Sequence, residues 1–262
     1  MTSHLLHIEG LGIDFARSRV LHDIHLQLPR GEFVALLGPN ASGKTTLLHA
    51  LAGMLTPSAG RILIDGHDVQ RDPLAARQAL GFAIDPARLP TALSGLECLQ
   101  LFTAARGLPH VPEATMALAE ALALHSALPH RVARYSLGTR QKLGIVLGLI
   151  GEPPLLVLDE PLNGLDPRSA RVLKQVLQQR TREGATVLLA THALDVAERF
   201  VSQALLLVEG RLRHRWEREA LDAIRDDPER SLEQAMVAVL EASDAHGREA
   251  ACATEAAGTA RE

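Results

Sequence analysis

Gly38, Pro39, Asn40, Ala41, Ser42, Gly43, Lys44 and Thr45 follow one another as GPNASGKT, a spacing of glycines, lysine and threonine that forms a phosphate cradle. The loop amides would wrap the phosphates of a nucleotide, and Lys44 would reach the β and γ oxygens. The Thr45 hydroxyl would hold Mg2+, and the cradle runs on through Thr46. An ammonium about 4 Å from a phosphate charge is attracted by about 4 kcal/mol at an effective dielectric of about 20, which makes Lys44 a major contributor. The alternative is a glycine turn with a chance lysine. The apolar run FVALL before the loop and the helix-like TTLLHALAGML after it argue against that.

Three further stretches carry suitable groups. LLVLDEP delivers Asp159 to the carboxyl end of a buried strand, where it would reach a metal through water. Glu160 is expected to point elsewhere, because side chains alternate along a strand, and there it could orient or deprotonate a water attacking the γ-phosphate. His192 ends the run TVLLATH and could contact the γ-phosphate, although a lone histidine at a strand end is more often structural. RYSLGTRQKLGI, Arg134 to Ile145, carries Ser136, Leu137 and Gly138 near its start and continues as a helix-like run, a second helix start whose free amides suit a phosphate. One small domain with two such starts poses a question of purpose.

The elements that must position these groups are legible in outline. LLHIEGLGIDF and HDIHLQLP alternate apolar and polar residues, as half-buried antiparallel strands do. FVALLG, LLVLDE and TVLLATH are continuous apolar runs, expected of parallel strands covered on both faces. RILIDGHDV predicts a strand with a turn at Asp65-Gly66, and ALLLVEGRLRHR an edge pair turning at Glu209-Gly210. From about Pro73 to Arg131 the apolar spacing is helical, with Ser94 and Glu97 placed as a capping box. RSARVLKQVLQQRTREG predicts a helix between two of the buried strands. This order argues for an α/β sheet with a helical insertion on its flank. SLEQAMVAVLEA reads as one helix, and the residues after it as a disordered tail.

Composition narrows the classes. The 262 residues are 47% hydrophobic and 22% charged, ordinary for a soluble globular protein. A net charge of −4 leaves no basic footprint for nucleic acid. Cys98 and Cys252 stand far apart, which fits a reduced compartment. MTSHLLHIEG does not read as a signal peptide, and no apolar run is long enough to span a bilayer. His4 with His7, or His22 with His25, lack a third ligand for a metal, and the strand alternation turns His25 towards water.

Taken in order, GPNASGKTT, YSLGTRQKL, LLVLDEP, NGLD and TH resemble the nucleotide-binding subunit of ABC transporters, from about Leu5 to Arg213. The resemblance implies a P-loop NTPase core sheet with an antiparallel β subdomain and a helical subdomain at about 86–150. It places the ATPase domain at residues 1–221 and a C-terminal helix and tail at 222–262. Tyr135 to Thr139 stand where the family writes its LSGGQ signature, departing at the first, third and fifth places. In that family two subunits pack head to tail, and each signature helix faces the ATP held by the other. This would explain the second helix start, with ATP and Mg2+ as the shared ligands.

Phe15 matches the aromatic that stacks on adenine, with a core role as the even alternative. Asn163 to Asp166 match the loop that crosses the dimer seam. Asp85 stands where most relatives place a glutamine that senses metal and permease; aspartate can still ligate Mg2+ or a water. The implied partners are an integral membrane permease, whose cytosolic helix would seat between the Asp85 loop and the helical subdomain, and a second copy or paralogous ATPase subunit. The implied place is the cytoplasmic face of the membrane, and the motif variants tilt towards exporters with a separate permease chain. The other readings are a soluble ABC-type ATPase acting as a mechanical or regulatory switch, and a non-hydrolysing binding module. One phosphate loop and no heptad run disfavour the switch, while Glu160 and His192 disfavour the module.

Overall fold

The structure, a computed structural model, describes residues 4–15, 18–192, 194–227 and 229–242, with side chains at 195–197 left aside. The strands are β1 (Leu6–Phe15), β2 (Ser18–Leu28), β3 (Phe33–Leu37), β4 (Ala59–Ile64), β5 (His67–Asp68), β6 (Leu80–Phe82), β7 (Leu155–Asp159), β8 (Thr186–Ala190), β9 (Gln203–Val208) and β10 (Arg211–Trp216). The helices are α1 (Lys44–Leu51), α2 (Pro73–Gln78), α3 (Gly95–Ala105), α4 (Glu113–Ala121), α5 (Leu137–Leu149), α6 (Pro167–Arg182), α7 (Leu194–Phe200) and α8 (Arg218–Asp226). Residues 232–242 are also helical. The expected tail, 243–262, lies outside the described residues.

Among the described residues, ten strands divide into two sheets. Six run in the order β10-β9-β3-β8-β7-β6, all neighbours parallel except the edge pair β10–β9. Four run in the order β2-β1-β4-β5, with every pair antiparallel. The continuous apolar runs have a direct physical cause, because both faces of the six-stranded sheet are covered. Phe33, Ala35 and Leu37 enter one core and Val34 and Leu36 the other. In the same alternation Leu156 and Leu158 oppose Leu155 and Val157. One face is packed by α1 and the antiparallel sheet, through residues such as Leu47, Leu51, Ile8 and Ile62. The other face carries α5, α6 and α8, with α3 and α4 beyond.

The four-stranded sheet has one wet face. Along β2, Leu21, Ile24, Leu26 and Leu28 are buried while Asp23, His25 and Gln27 are exposed. The hairpin turns form as the sequence asks: Asp65 and Gly66 have φ of 51° and 83°, Glu209 and Gly210 of 48° and 69°. Ser94 and Glu97 complete their reciprocal cap at the start of α3.

One element departs from the sequence reading. The stretch expected to be helical from Pro73 contains β6, which extends the parallel sheet beside β7. Three residues are too few to show a strand period, and β6 is fixed from outside. The Arg106 guanidinium, just past α3, donates to the Leu80 carbonyl at 2.8 Å. Helix α5 comes so close that a Cβ at Gly148 would lie 2.7 Å from the Phe82 oxygen.

Candidate functional site

The loop between β3 and α1 is built on three residues with positive φ. Gly38, Ala41 and Gly43 have φ of 151°, 61° and 104°. Only the middle one pays the penalty of a side chain in the left-handed region, about 1–2 kcal/mol. At Gly38 a Cβ would sit 2.1 Å from the Leu207 carbonyl oxygen, so β9 leaves no room for any other residue. Gly43 caps α1, whose first turn therefore presents free N–H groups and a positive dipole end at the loop.

Asn40, Ala41, Ser42, Gly43, Lys44, Thr45, Thr46, Asp159, Glu160 and His192 line a single cleft of about 460 Å³. Lys44 is 7% exposed, and its Nζ donates to the carbonyls of Gly38 at 2.7 Å and Pro39 at 3.0 Å. Those bonds hold the ammonium over the loop. Burial pushes its pKa down, opposed by the Glu160 and Asp159 carboxylates. The Ser42 hydroxyl is buried with no hydrogen-bond partner among the described residues. An orphaned buried hydroxyl beside the start of α1 fits an anionic ligand.

The Thr45 hydroxyl donates to Asp159 Oδ2 at 2.7 Å, which joins the start of α1 to the end of β7. Two hard oxygen donors at that separation suit a small divalent cation, and these residues would hold Mg2+.

Glu160 does not continue the strand alternation. Strand β7 ends at Asp159, and Glu160 has a φ of 45°, so the two successive carboxylates line the same cleft. Its Oε1 lies 3.3 Å from His192 Nε2, and its Oε2 accepts from the His192 N–H at 3.4 Å. Burial raises the Glu160 pKa, partly offset by His192. A carboxylate poised in this way is a better proton acceptor than an ordinary surface glutamate.

Other residues singled out from sequence lie elsewhere. Phe15 ends β1, 46% exposed and off the cleft lining. Val20 on the neighbouring strand lines the cleft instead, and an apolar residue in an alternating strand gives no sequence signal for that role. Asp85 also stands outside; its Oδ1 accepts from the Ala87 N–H at 2.8 Å and caps the short turn Pro86–Arg88. Ser136, Leu137 and Gly138 begin α5 away from the cleft. There the Ser136 hydroxyl caps the helix through the Thr139 N–H at 3.2 Å, and Leu137 is 69% exposed.

Comparison with known proteins identifies the family. The ABC transporter family model matches residues 21–163. The chain is 34% identical over 214 residues to the ABC transporter ATP-binding protein YdbJ of Bacillus subtilis (strain 168), covering 81% of this chain and 69% of that one. It is 31% identical over 209 residues to the lantibiotic transport ATP-binding protein SrtF of Streptococcus pyogenes, covering 79% and 89%. A solved ATP binding subunit of an ABC transporter superposes with a TM-score of 0.81 at 32% identity, over 90% of this chain and 99% of that one. With its phosphate loop between β3 and α1, its acidic strand end on β7 and these likenesses over most of its length, the chain belongs to the ATP-binding subunits of ABC transporters.

Proposed function

We propose that two copies of this chain, or one copy and a paralogue, close head to tail around two ATP molecules and drive a separate membrane permease of the exporter kind. The observation that carries this reading is a separation within one chain. The loop, Asp159, Glu160 and His192 line one cleft, while the start of α5 carrying Ser136 and Gly138 opens on another surface. A helix start that suits a phosphate but cannot reach its own loop calls for a neighbour's nucleotide.

In this reading the loop amides and Lys44 bind the triphosphate, and Thr45 and Asp159 hold Mg2+, which neutralises phosphate charge when bound. Glu160 accepts a proton from the attacking water, and His192 holds Glu160 in place and faces the γ-phosphate. Phe15, exposed at the end of β1 and off the phosphate cleft, stacks on adenine. ATP joins the subunits and hydrolysis releases them, a two-state element biased by the γ-phosphate.

An apolar groove of about 590 Å³ runs between α2, β6 and α3, lined by Met54, Leu74, Phe82 and Phe102. Leu74 is 75% exposed, and the groove supports the seat of a permease helix at the cytoplasmic face of the membrane. No helix of the described residues is long and apolar enough to cross a membrane. The relative named for lantibiotic transport supports the exporter reading.

The shared site is tested by mixing two inactive variants, Ser136→Ala and Lys44→Ala. A mixed dimer concentrates both lesions in one site and leaves the other intact. Mixing equal amounts should restore up to about a quarter of wild-type turnover, since half the dimers are mixed and each has one intact site. No gain over either parent would refute the shared arrangement.

A further inference from the structure

A second cleft, of about 350 Å³, lies at the end of the six-stranded sheet where β3 begins, opposite the phosphate loop that follows Leu37. Its floor is apolar, made by the buried Phe33 and Val201 together with Phe200. Four arginines stand around that floor: Arg182 at the end of α6, Arg199 near the end of α7, and Arg218 and Arg225 on α8. Among the described residues no carboxylate lines the cleft. The chain as a whole has a net charge of −4, so this gathering of positive charge is local.

The four arginines differ in what already engages them. Arg225 is a structural tie, donating to the carbonyls of Glu198 and Val201 and to Asp222 Oδ1. Arg218 lies 3.8 Å from Glu32 Oε2, an oxygen that also accepts from the Ser202 hydroxyl. Arg182 and Arg199 are exposed, and among the described residues their side chains make no hydrogen bond and no ion pair. The Gln178 amide, one turn before Arg182, is uncommitted in the same way. The neighbouring carboxylates are engaged elsewhere: Glu183 with Arg180, Glu217 with Arg215 and Asp222 with Arg225, while Glu219 stands off the lining. The plain alternative is that Arg182 and Arg199 only answer the negative ends of α6 and α7, in whose last turns they sit. A helix end carries about half a charge, so each arginine leaves about half a positive charge over. Arg218 adds to that sign, because it stands at the first, positive turn of α8, where the Glu217 side chain makes no capping bond.

We propose that this cleft is a binding site for a small phosphorylated molecule, whose phosphate is held by Arg182, Arg199 and the Gln178 amide and whose remainder rests on Phe200 and Val201. A guanidinium meets phosphate oxygens through paired N–H donors, which suits arginine to this place better than lysine. The volume falls within the range of small-molecule sites, about 300–1,000 Å³. The site is distinct from the nucleotide cleft, with which it shares no lining residue. A ligand there joins the ends of α6 and α7, so occupancy stabilises the folded chain.

The probe is inorganic pyrophosphate, titrated into the full chain carrying Lys44→Ala, which removes the lysine of the phosphate loop. Calorimetry reads the affinity, and the single tryptophan, Trp216, two residues before Arg218, reports on the cleft by fluorescence. The expected result is one site per chain with a Kd of about 0.1–1 mM, and a Tm about 3–5 °C higher at tenfold that concentration. Adding Arg182→Gln and Arg199→Gln should weaken binding by about tenfold or more, since two charged donors are lost. Arg182→Lys with Arg199→Lys keeps the charge and loses the forks, so binding should weaken by about threefold to tenfold; this pair serves where the glutamines lower the Tm. Three results would overturn the proposal: no saturable binding below about 10 mM, binding unchanged in the glutamine pair, or an equal Tm rise from potassium chloride at matched ionic strength.

Discussion

Replacing Glu160 by glutamine removes one charge and almost no volume. The amide keeps an oxygen to accept from the His192 N–H, now 3.4 Å from Oε2, and loses the carboxylate oxygen that lies 3.3 Å from His192 Nε2. Nucleotide binding, which rests on the loop and Lys44, should persist. Turnover should fall by about 10²–10³, or about 2.7–4 kcal/mol of transition-state stabilisation, the size typical of losing one preorganised group. Stability should move the other way. Burial raises the Glu160 pKa above its unfolded value, so the folded state binds the proton more tightly than the unfolded chain. Ionisation therefore costs stability as pH rises through the folded pKa, and the cost is absent below the unfolded value of 4.5. Glu160→Gln should raise the Tm at neutral pH, and the gain should fade as pH falls towards 4.5. Phosphate release under steady state, size-exclusion chromatography with Mg-ATP and melts across pH 4.5–8 read the three parts. Turnover within threefold of wild type would remove Glu160 from the chemistry, and a lower Tm at neutral pH would refute the account of its burial.

Two further outcomes follow from local geometry. Asp85→Gln lengthens the side chain past the Ala87 N–H that it caps at 2.8 Å, so stability should drop by about 1 kcal/mol while hydrolysis stays within a few-fold. Complete loss of ATPase activity there would make the carboxylate essential to the chemistry. Gly38→Ala drives a methyl against the Leu207 carbonyl and the Ser42 hydroxyl, at 2.1 and 2.8 Å. It should cost about 1–3 kcal/mol and abolish nucleotide binding, and normal binding with an unchanged Tm would show that the loop adapts.

Much of the site was legible because it is local. GPNASGKT specifies its own turn, Ser94 and Glu97 are one helical turn apart, and Asp65-Gly66 needs no distant partner to bend. The doubly buried strands also announce themselves, since a run such as FVALL has an apolar residue for each of two cores. Strand β6 gave no such sign. It exists because β7 offers an open edge and α5 presses on it, conditions that lie more than sixty residues away.

The chain's own residues thus determined the phosphate loop, most of the strands and helices, and the family. Tertiary structure decided how they meet: that Glu160 turns into the cleft beside Asp159, that Val20 lines it while Phe15 and Asp85 stand off, and that α5 opens away from its own loop. The reason is range. Dihedral preference and periodicity act over a few residues, whereas the direction of a side chain at a strand end, and the reach of one helix start, depend on contacts between segments far apart in sequence.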